Sequence, residues 1–207
     1  MIESVRRSGA QGEFGHAVPV RPARDRAALF PAWCLRGHEL KIAGAGRGWS
    51  HFYNLPRVTC QVCYDQRDPA ASWCLIEPAD QYPPDKAPQE GLKLHAVAPL
   101  VRGGIGRIEL HLDGHAVGDL DLAACGPCRR AVIEQLRVDH DHRRLGYGRI
   151  LIAAALSRAP ADKYDWSTTK ITDTVETRAF WAASGFPGTL GQPQYCTDML
   201  RAAQKLP

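Results

Sequence analysis

The sequence predicts an α+β fold, a central sheet flanked by helices, preceded by a small separate module. Three observations predict it. Residues 92–138 carry successive strand-like runs, and residues 148–184 alternate helix, strand and helix patterns, the order of a sheet with helices packed on it. Within that stretch an apolar run ends in a polar turn and then in Arg143-x-x-Gly146-x-Gly148, which opens an Ala/Leu/Ile-rich helical pattern. Upstream, residues 29–78 gather cysteine, histidine and aromatic residues in a pattern that matches neither period.

Taken in order, residues 1–28 are rich in Arg, Gly and Pro without periodicity and read as a mobile arm. The module follows over 29–78, and residues 79–91 form a Pro-rich linker. The main domain then occupies 92–207. Its strands are expected at 92–101 and 107–112, joined by Arg102-Gly103-Gly104-Ile105-Gly106. Asp113-Gly114 is a two-residue hairpin signal with 115–122 as the partner strand. A strand over 131–138, a helix over 148–157, a strand over 165–171 and a helix over 174–184 complete the pattern.

The chain has 207 residues, 44% of them hydrophobic and 23% charged, the composition of a folded globular protein with room for one ordinary domain and a small one. The net charge of +4 suits an anionic ligand and falls short of a nucleic-acid-binding signature. No apolar run approaches membrane-spanning length, and no apolar stretch follows Arg6 and Arg7 as a signal peptide would require. A cytoplasmic location is expected. In that compartment the seven cysteines read as thiols or metal ligands rather than a disulfide framework.

Cys34-x3-His38 and Cys60-x2-Cys63 are two short donor pairs separated by 21 residues. Zinc takes four thiolate or imidazole donors in a tetrahedron, and two such pairs supply them. The set looks like a zinc ribbon or small treble-clef-like unit holding a structural Zn2+. Trp33, Trp49, Phe52, Tyr53 and Trp73 are candidates for its core. The plainer reading is of buried, inert cysteines with His38 at the surface. Cys125-Gly126-Pro127-Cys128 spells a thioredoxin-type tetrapeptide, but it falls between two strands and not at a strand-to-helix start. It reads as a turn with incidental cysteines; a metal half-site with His111 or His115 and a reversible disulfide remain open. Cys74 and Cys196 lie in apolar, strand-like runs.

The glycine-opened helix start is the strongest functional signal. The first N–H groups of a helix have no partner within it, the dipole is positive there, and glycine lets a ligand approach the backbone. Arg143, Arg144 and Arg149 add charge. Such a start binds phosphate or pyrophosphate. With Leu136-x-Val138 ahead of it and Phe180-Trp181-Ala182-Ala183-Ser184-Gly185-Phe186 downstream, the chain resembles the GCN5-related N-acetyltransferases over roughly residues 92–186.

That resemblance implies a mixed, mostly antiparallel sheet and acetyl-CoA as cosubstrate. By carry-over, Leu136, Arg137 and Val138 would meet the pantetheine and thioester. Arg143, Arg144, Leu145, Gly146, Tyr147, Gly148 and Arg149 would ring the pyrophosphate. Thr174 stands where the family has a cofactor-touching Asn. The family's two helices between the first and second strands have no counterpart here, so either the first strand lies at 72–77 or the helices are missing and the module walls the acceptor site. Trp181 occupies the position of a common family Tyr and packs rather than reacts.

Transfer to an amine needs a base. Glu134 precedes Leu136 and Val138 by two and four residues, which in a regular strand puts it on their face. Its plainer reading is a surface carboxylate beside Arg129 or Arg137. The acid role is vacant or is taken by Tyr195 or Tyr147. Acidic residues at 134, 139, 141, 173 and 176 favour a cationic acceptor. The competing function is a zinc-dependent protein- or nucleic-acid-binding protein with a degenerate, non-catalytic core, using the module and the arginines of the arm.

Overall fold

The computed structural model describes residues 31–51 and 55–204. The arm expected over 1–28, with its arginines, lies outside them.

The Cys/His module folds as α1 (Leu40–Ala43), β1 (Ala45–Ser50), β2 (Leu55–Cys60), α2 (Gln61–Asp65) and β3 (Ser72–Cys74), the strands forming an antiparallel sheet in that order. Its core is Cys34, Leu40, Val58, Cys60, Cys63 and Ala71, with Trp73 packed against them. Among the described residues the aromatic core expected from sequence is confined to Trp73: Trp33 and Trp49 are exposed, and Phe52 and Tyr53 lie outside the described residues. The donor side chains themselves fill the space a larger core would occupy.

The main sheet has six strands: β4 (Gln81–Tyr82), β5 (Leu92–Val97), β6 (Ile105–Leu112), β7 (His115–Cys125), β8 (Arg130–Val138) and β9 (Asp165–Thr168), in spatial order of sequence. The four central strands are antiparallel, while β4 joins β5 and β9 joins β8 in parallel. Helix α3 (Tyr147–Arg158) crosses one face, followed by α4 (Val175–Ser184) and α5 (Thr197–Ala203). The mixed, mostly antiparallel sheet agrees with expectation. Asp113 and Gly114 both take positive φ, 48° and 81°, as the two-residue turn between β6 and β7 requires.

Period-two patterning builds the core. Leu92, Leu94, Ile108, Leu110, Leu120, Leu122, Ala131 and Ile133 point to the α3 side and bury against Leu151, Ile152, Ala154 and Ala155. Each large side chain so buried contributes about 1.5–3 kcal/mol. The opposite face carries ion pairs, Arg107 with Asp121 and Arg137 with Asp119, and at one end a second cluster of Ala123, Cys125, Val132, Cys196 and Met199.

Four elements differ from the sequence reading. The Pro-rich segment contributes β4, and Gln81 Nε2 donates to the Ala154 carbonyl of α3 at 2.9 Å. Residues 72–74 belong to the module sheet, and residues 98–104 between β5 and β6 contain no helix, so the family's two intervening helices are missing. The strand expected over 165–171 ends at Thr168, where it leaves β8. Cys196 does not lie in a strand; it is the N-cap residue of α5. Among the described residues no helix is long and apolar enough to cross a membrane.

Candidate active site and metal centre

Parallel pairing of β8 with β9 runs only from Arg130↔Asp165 to Ile133↔Thr168. Beyond it Thr169 N donates to the Ile133 carbonyl at 3.0 Å and Thr169 Oγ1 to the Glu134 carbonyl at 2.7 Å. The strands then part, leaving residues 135–138 of β8 without a strand partner on that side. A cleft of about 1080 Å³ fills the gap, lined by β8, the loop to α3, residues 168–172 and α4.

One end of the cleft is the start of α3. The chain leaves β8, makes a 3-10 turn at His140–His142, and passes through Arg144 (φ 66°) and Gly146 (φ 85°) into the helix. Left-handed backbone at Gly146 explains that glycine, and a Cβ there would also stand 2.9 Å from Leu35 Cδ2 of the module. Gly148 has a different reason: a Cβ would meet Phe180 Cε2 of α4 at 2.8 Å. It serves helix packing as much as ligand approach. Arg36, Arg143, Arg144, Arg149 and Lys170 give this end its cationic lining.

At the other end stands Glu134. Between β7 and β8 the register shifts, Asp121 facing Gln135 and Leu122 facing Ile133, so Glu134 is an extra residue in a β-bulge. The bulge overturns the expectation that Glu134 shares a face with Leu136 and Val138. Ile133, Leu136 and Val138 pack on the α3 side, whereas Glu134 turns to the opposite face, where Tyr195 Oη donates to Glu134 Oε2 at 2.8 Å. Burial raises the Glu134 pKa from its ordinary value; the Tyr195 hydrogen bond pulls it back and Asp121 pushes it further up. Burial and the Glu134 carboxylate push Tyr195 up to about 12.

The cleft gathers Leu136, Arg137, Val138, Arg143, Arg144, Gly146, Tyr147, Gly148 and Arg149 together with Glu134. Three expected residues stand outside the lining. Leu145 packs against the main core, Thr174 caps α4 through the Thr177 N–H, and Tyr195 reaches the site only through Glu134. The Arg137 guanidinium pairs with Asp119 and Asp139, leaving its backbone to the cleft. Trp181 is buried between Phe180 and Phe186, as expected of a packing residue. Sequence reasoning missed Leu35, Arg36 and Gly37, which line the cleft from the module, and Thr169. Only Thr169, in a strand already read, left a sequence signal.

Cys34, His38, Cys60 and Cys63 converge with their donor atoms within 4.8 Å of one another. Zinc–sulfur and zinc–nitrogen bonds of ordinary length set tetrahedral edges of about 3.8 Å between sulfurs and about 3.6 Å between sulfur and nitrogen. The observed edges are 3.8 Å for Cys34 Sγ–Cys63 Sγ, 3.5 Å for Cys34 Sγ–His38 Nδ1, 3.2 Å for His38 Nδ1–Cys63 Sγ and 3.8 Å for Cys60 Sγ–His38 Nδ1. The N–H groups of Arg36 and His38 donate to Cys34 Sγ at 3.3 and 3.2 Å, the outer hydrogen bonds of a metal thiolate. Burial and the neighbouring thiols push Cys63 up to about 12, so a thiolate there calls for a cation. The donor set fits zinc.

A family model described as the acetyltransferase (GNAT) family matches residues 61–186, more than half of the chain, and the chain belongs to that family. Similar solved structures include an aminoglycoside acetyltransferase from an uncultured soil metagenomic sample, 20% identical over 44% of this chain and 62% of that one, with a TM-score of 0.34. An acetyltransferase from Thermus thermophilus is 27% identical over 39% of this chain and 53% of its own, TM-score 0.31. A ribosomal-protein-alanine N-acetyltransferase from Brucella melitensis biovar Abortus 2308 is 17% identical over 44% and 69%, TM-score 0.33. The chain spans less than two thirds of the length of the first two. No curated protein matches.

Proposed function

We propose that the chain transfers an acetyl group from acetyl-CoA to a primary amine by direct attack on the thioester. The observation that carries this is the parting of β8 from β9 into a cleft that ends on the glycine-opened, arginine-lined start of α3. An extended pantetheine would pair with the open edge of residues 135–138, and its pyrophosphate would take the α3 start with Arg143, Arg144 and Arg149. A backbone N–H near Leu136 would hold the oxyanion of the tetrahedral intermediate.

Glu134 is the proposed base. It takes one proton from the ammonium, the nitrogen lone pair forms the C–N bond, the C–S bond breaks to release the thiolate, and the second nitrogen proton passes to that thiolate, leaving a neutral amide and the free thiol. A thiol with a pKa near 8.5 leaves without strong acid assistance, and the Tyr195 hydroxyl proton is committed to Glu134. Tyr195 is thus a positioning residue rather than the acid. Among the described lining residues there is no cysteine or serine to carry a covalent acetyl group, which favours direct transfer. Asp119 and Asp121 on the same face as Glu134 support a cationic acceptor, though Arg137 and Arg107 pair with them. Zinc at Cys34, His38, Cys60 and Cys63 would hold the module so that Leu35 abuts Gly146, which favours a module built into the cleft over one serving a separate partner.

Calorimetric titration of acetyl-CoA into metal-replete protein tests the reading. Micromolar binding that weakens at least about tenfold in Arg143→Glu, consistent with loss of a charge-assisted phosphate contact, is the expected result. Absence of binding to the folded protein would overturn it.

A further inference from the structure

Seven cysteines leave three beyond the first cluster and Cys74, and the fold brings those three together. Cys125 ends β7, Cys128 sits in the turn to β8, and Cys196 precedes α5. Their sulfurs lie within 4.8 Å of one another. The expected partners of the Cys125-x2-Cys128 pair, His111 and His115, are at the far end of the hairpin, where His111 stacks on His95 and bonds Glu109.

We propose that Cys125, Cys128 and Cys196 hold a second zinc, with water in the fourth position beside the Asp198 carboxylate. The turn is built like a metal knuckle: Cys125 pairs with Arg130 across the hairpin, Arg129 N donates to the Gly126 carbonyl at 3.3 Å, and Arg129 takes φ 52°. That geometry sets both turn sulfurs on one side. Cys196 closes the third corner, and Asp198 Oδ2 lies 3.7 Å from Cys125 Sγ. Three thiolates and a water make a competent tetrahedral zinc set. Cys125 and Cys196 are buried, while Cys128 is exposed and gives the ion its way in. An odd number of thiols argues against a disulfide, which would leave one of the three unpaired, whereas a borderline-soft cation uses all of them.

The ion would tie the β7–β8 hairpin to the segment entering α5. Tyr195, adjacent to Cys196, has its carbonyl held by Arg130 Nη1 at 3.1 Å and its hydroxyl on Glu134. The site is thus a clip that fixes Tyr195 over Glu134, and it stands whether or not the acetyl-transfer reading does.

Metal content decides it. Full-length protein grown in zinc-containing medium and purified without chelator is measured by plasma mass spectrometry beside Cys128→Ser and Cys34→Ser. Because Cys128 is exposed, its serine variant keeps the fold, checked by circular dichroism. Loss of about one zinc per chain in Cys128→Ser, additive with the loss in Cys34→Ser, is expected, and cobalt-substituted Cys128→Ser should lose part of the thiolate-to-cobalt absorption. Zinc content in Cys128→Ser equal to the unsubstituted protein overturns the proposal, as does a disulfide among these cysteines in freshly isolated, alkylated protein.

Discussion

Glu134 has its surroundings set by one residue too many in its strand. In the proposed reaction its raised pKa puts the acid limb of kcat/KM above the ordinary carboxylate value of about 4.3. The base must be ionised to work, so activity rises with pH through that limb and falls below it. Glu134→Gln should lower kcat/KM by about 10²–10⁴-fold and abolish the limb, as loss of a general base does. Tyr195→Phe should do something different. It removes the hydrogen bond that lowers the Glu134 pKa, so the limb should move to higher pH while the plateau falls less; an unmoved limb would refute the positioning role. Glu134 was legible as a candidate because it precedes Leu136-x-Val138. Its facing was not, since no glycine or proline marks the bulge, and a strand read at period two places the carboxylate on the wrong side.

At the level of elements, the seam between α3 and α4 carries the sharpest constraint. Phe180 occupies the space a side chain at position 148 would need, and its ring sits edge-on to Trp181. Gly148→Val should destabilise the fold by about 1–3 kcal/mol, the usual cost of overpacking, read as a lower urea midpoint. Phe180→Ala in the same chain should recover part of that loss, since contacting residues couple. Strong periodic elements were legible: β5 to β8, the Asp113-Gly114 turn, α3 and α4. The two-residue β4 offers too few positions for a period to register, and its pairing comes from Gln81 reaching Ala154 and Arg158 across the fold. Helix α5 was missed because seven residues with two buried positions, Met199 and Ala202, give only one turn of pattern and Cys196 is no capping signal.

Across the whole molecule, composition and the two donor pairs announced a separate module, yet its contact with the cleft depends on Leu35, Arg36 and Gly37, residues without a motif. If zinc orders Cys34 through His38, stripping it loosens the wall at Gly146. Treatment with a strong chelator should weaken acetyl-CoA binding at least about tenfold and restore it on zinc readdition, the behaviour of a metal-linked fold; unchanged affinity in metal-free protein would separate the module from the site. The register break at Glu134 bears on how this strand can vary over evolutionary time. Side chains downstream of it face the core because the bulge absorbs the supernumerary residue. Substitutions at Gln135, which is exposed, leave that parity alone. Deleting it would remove the supernumerary residue and leave Leu136 and Val138 facing the core in plain alternation, whereas inserting one more residue there without a wider bulge would swap inside for outside at both. Between Ile133 and Leu136 the strand can therefore shed its extra residue and keep its inward set, but cannot simply gain another.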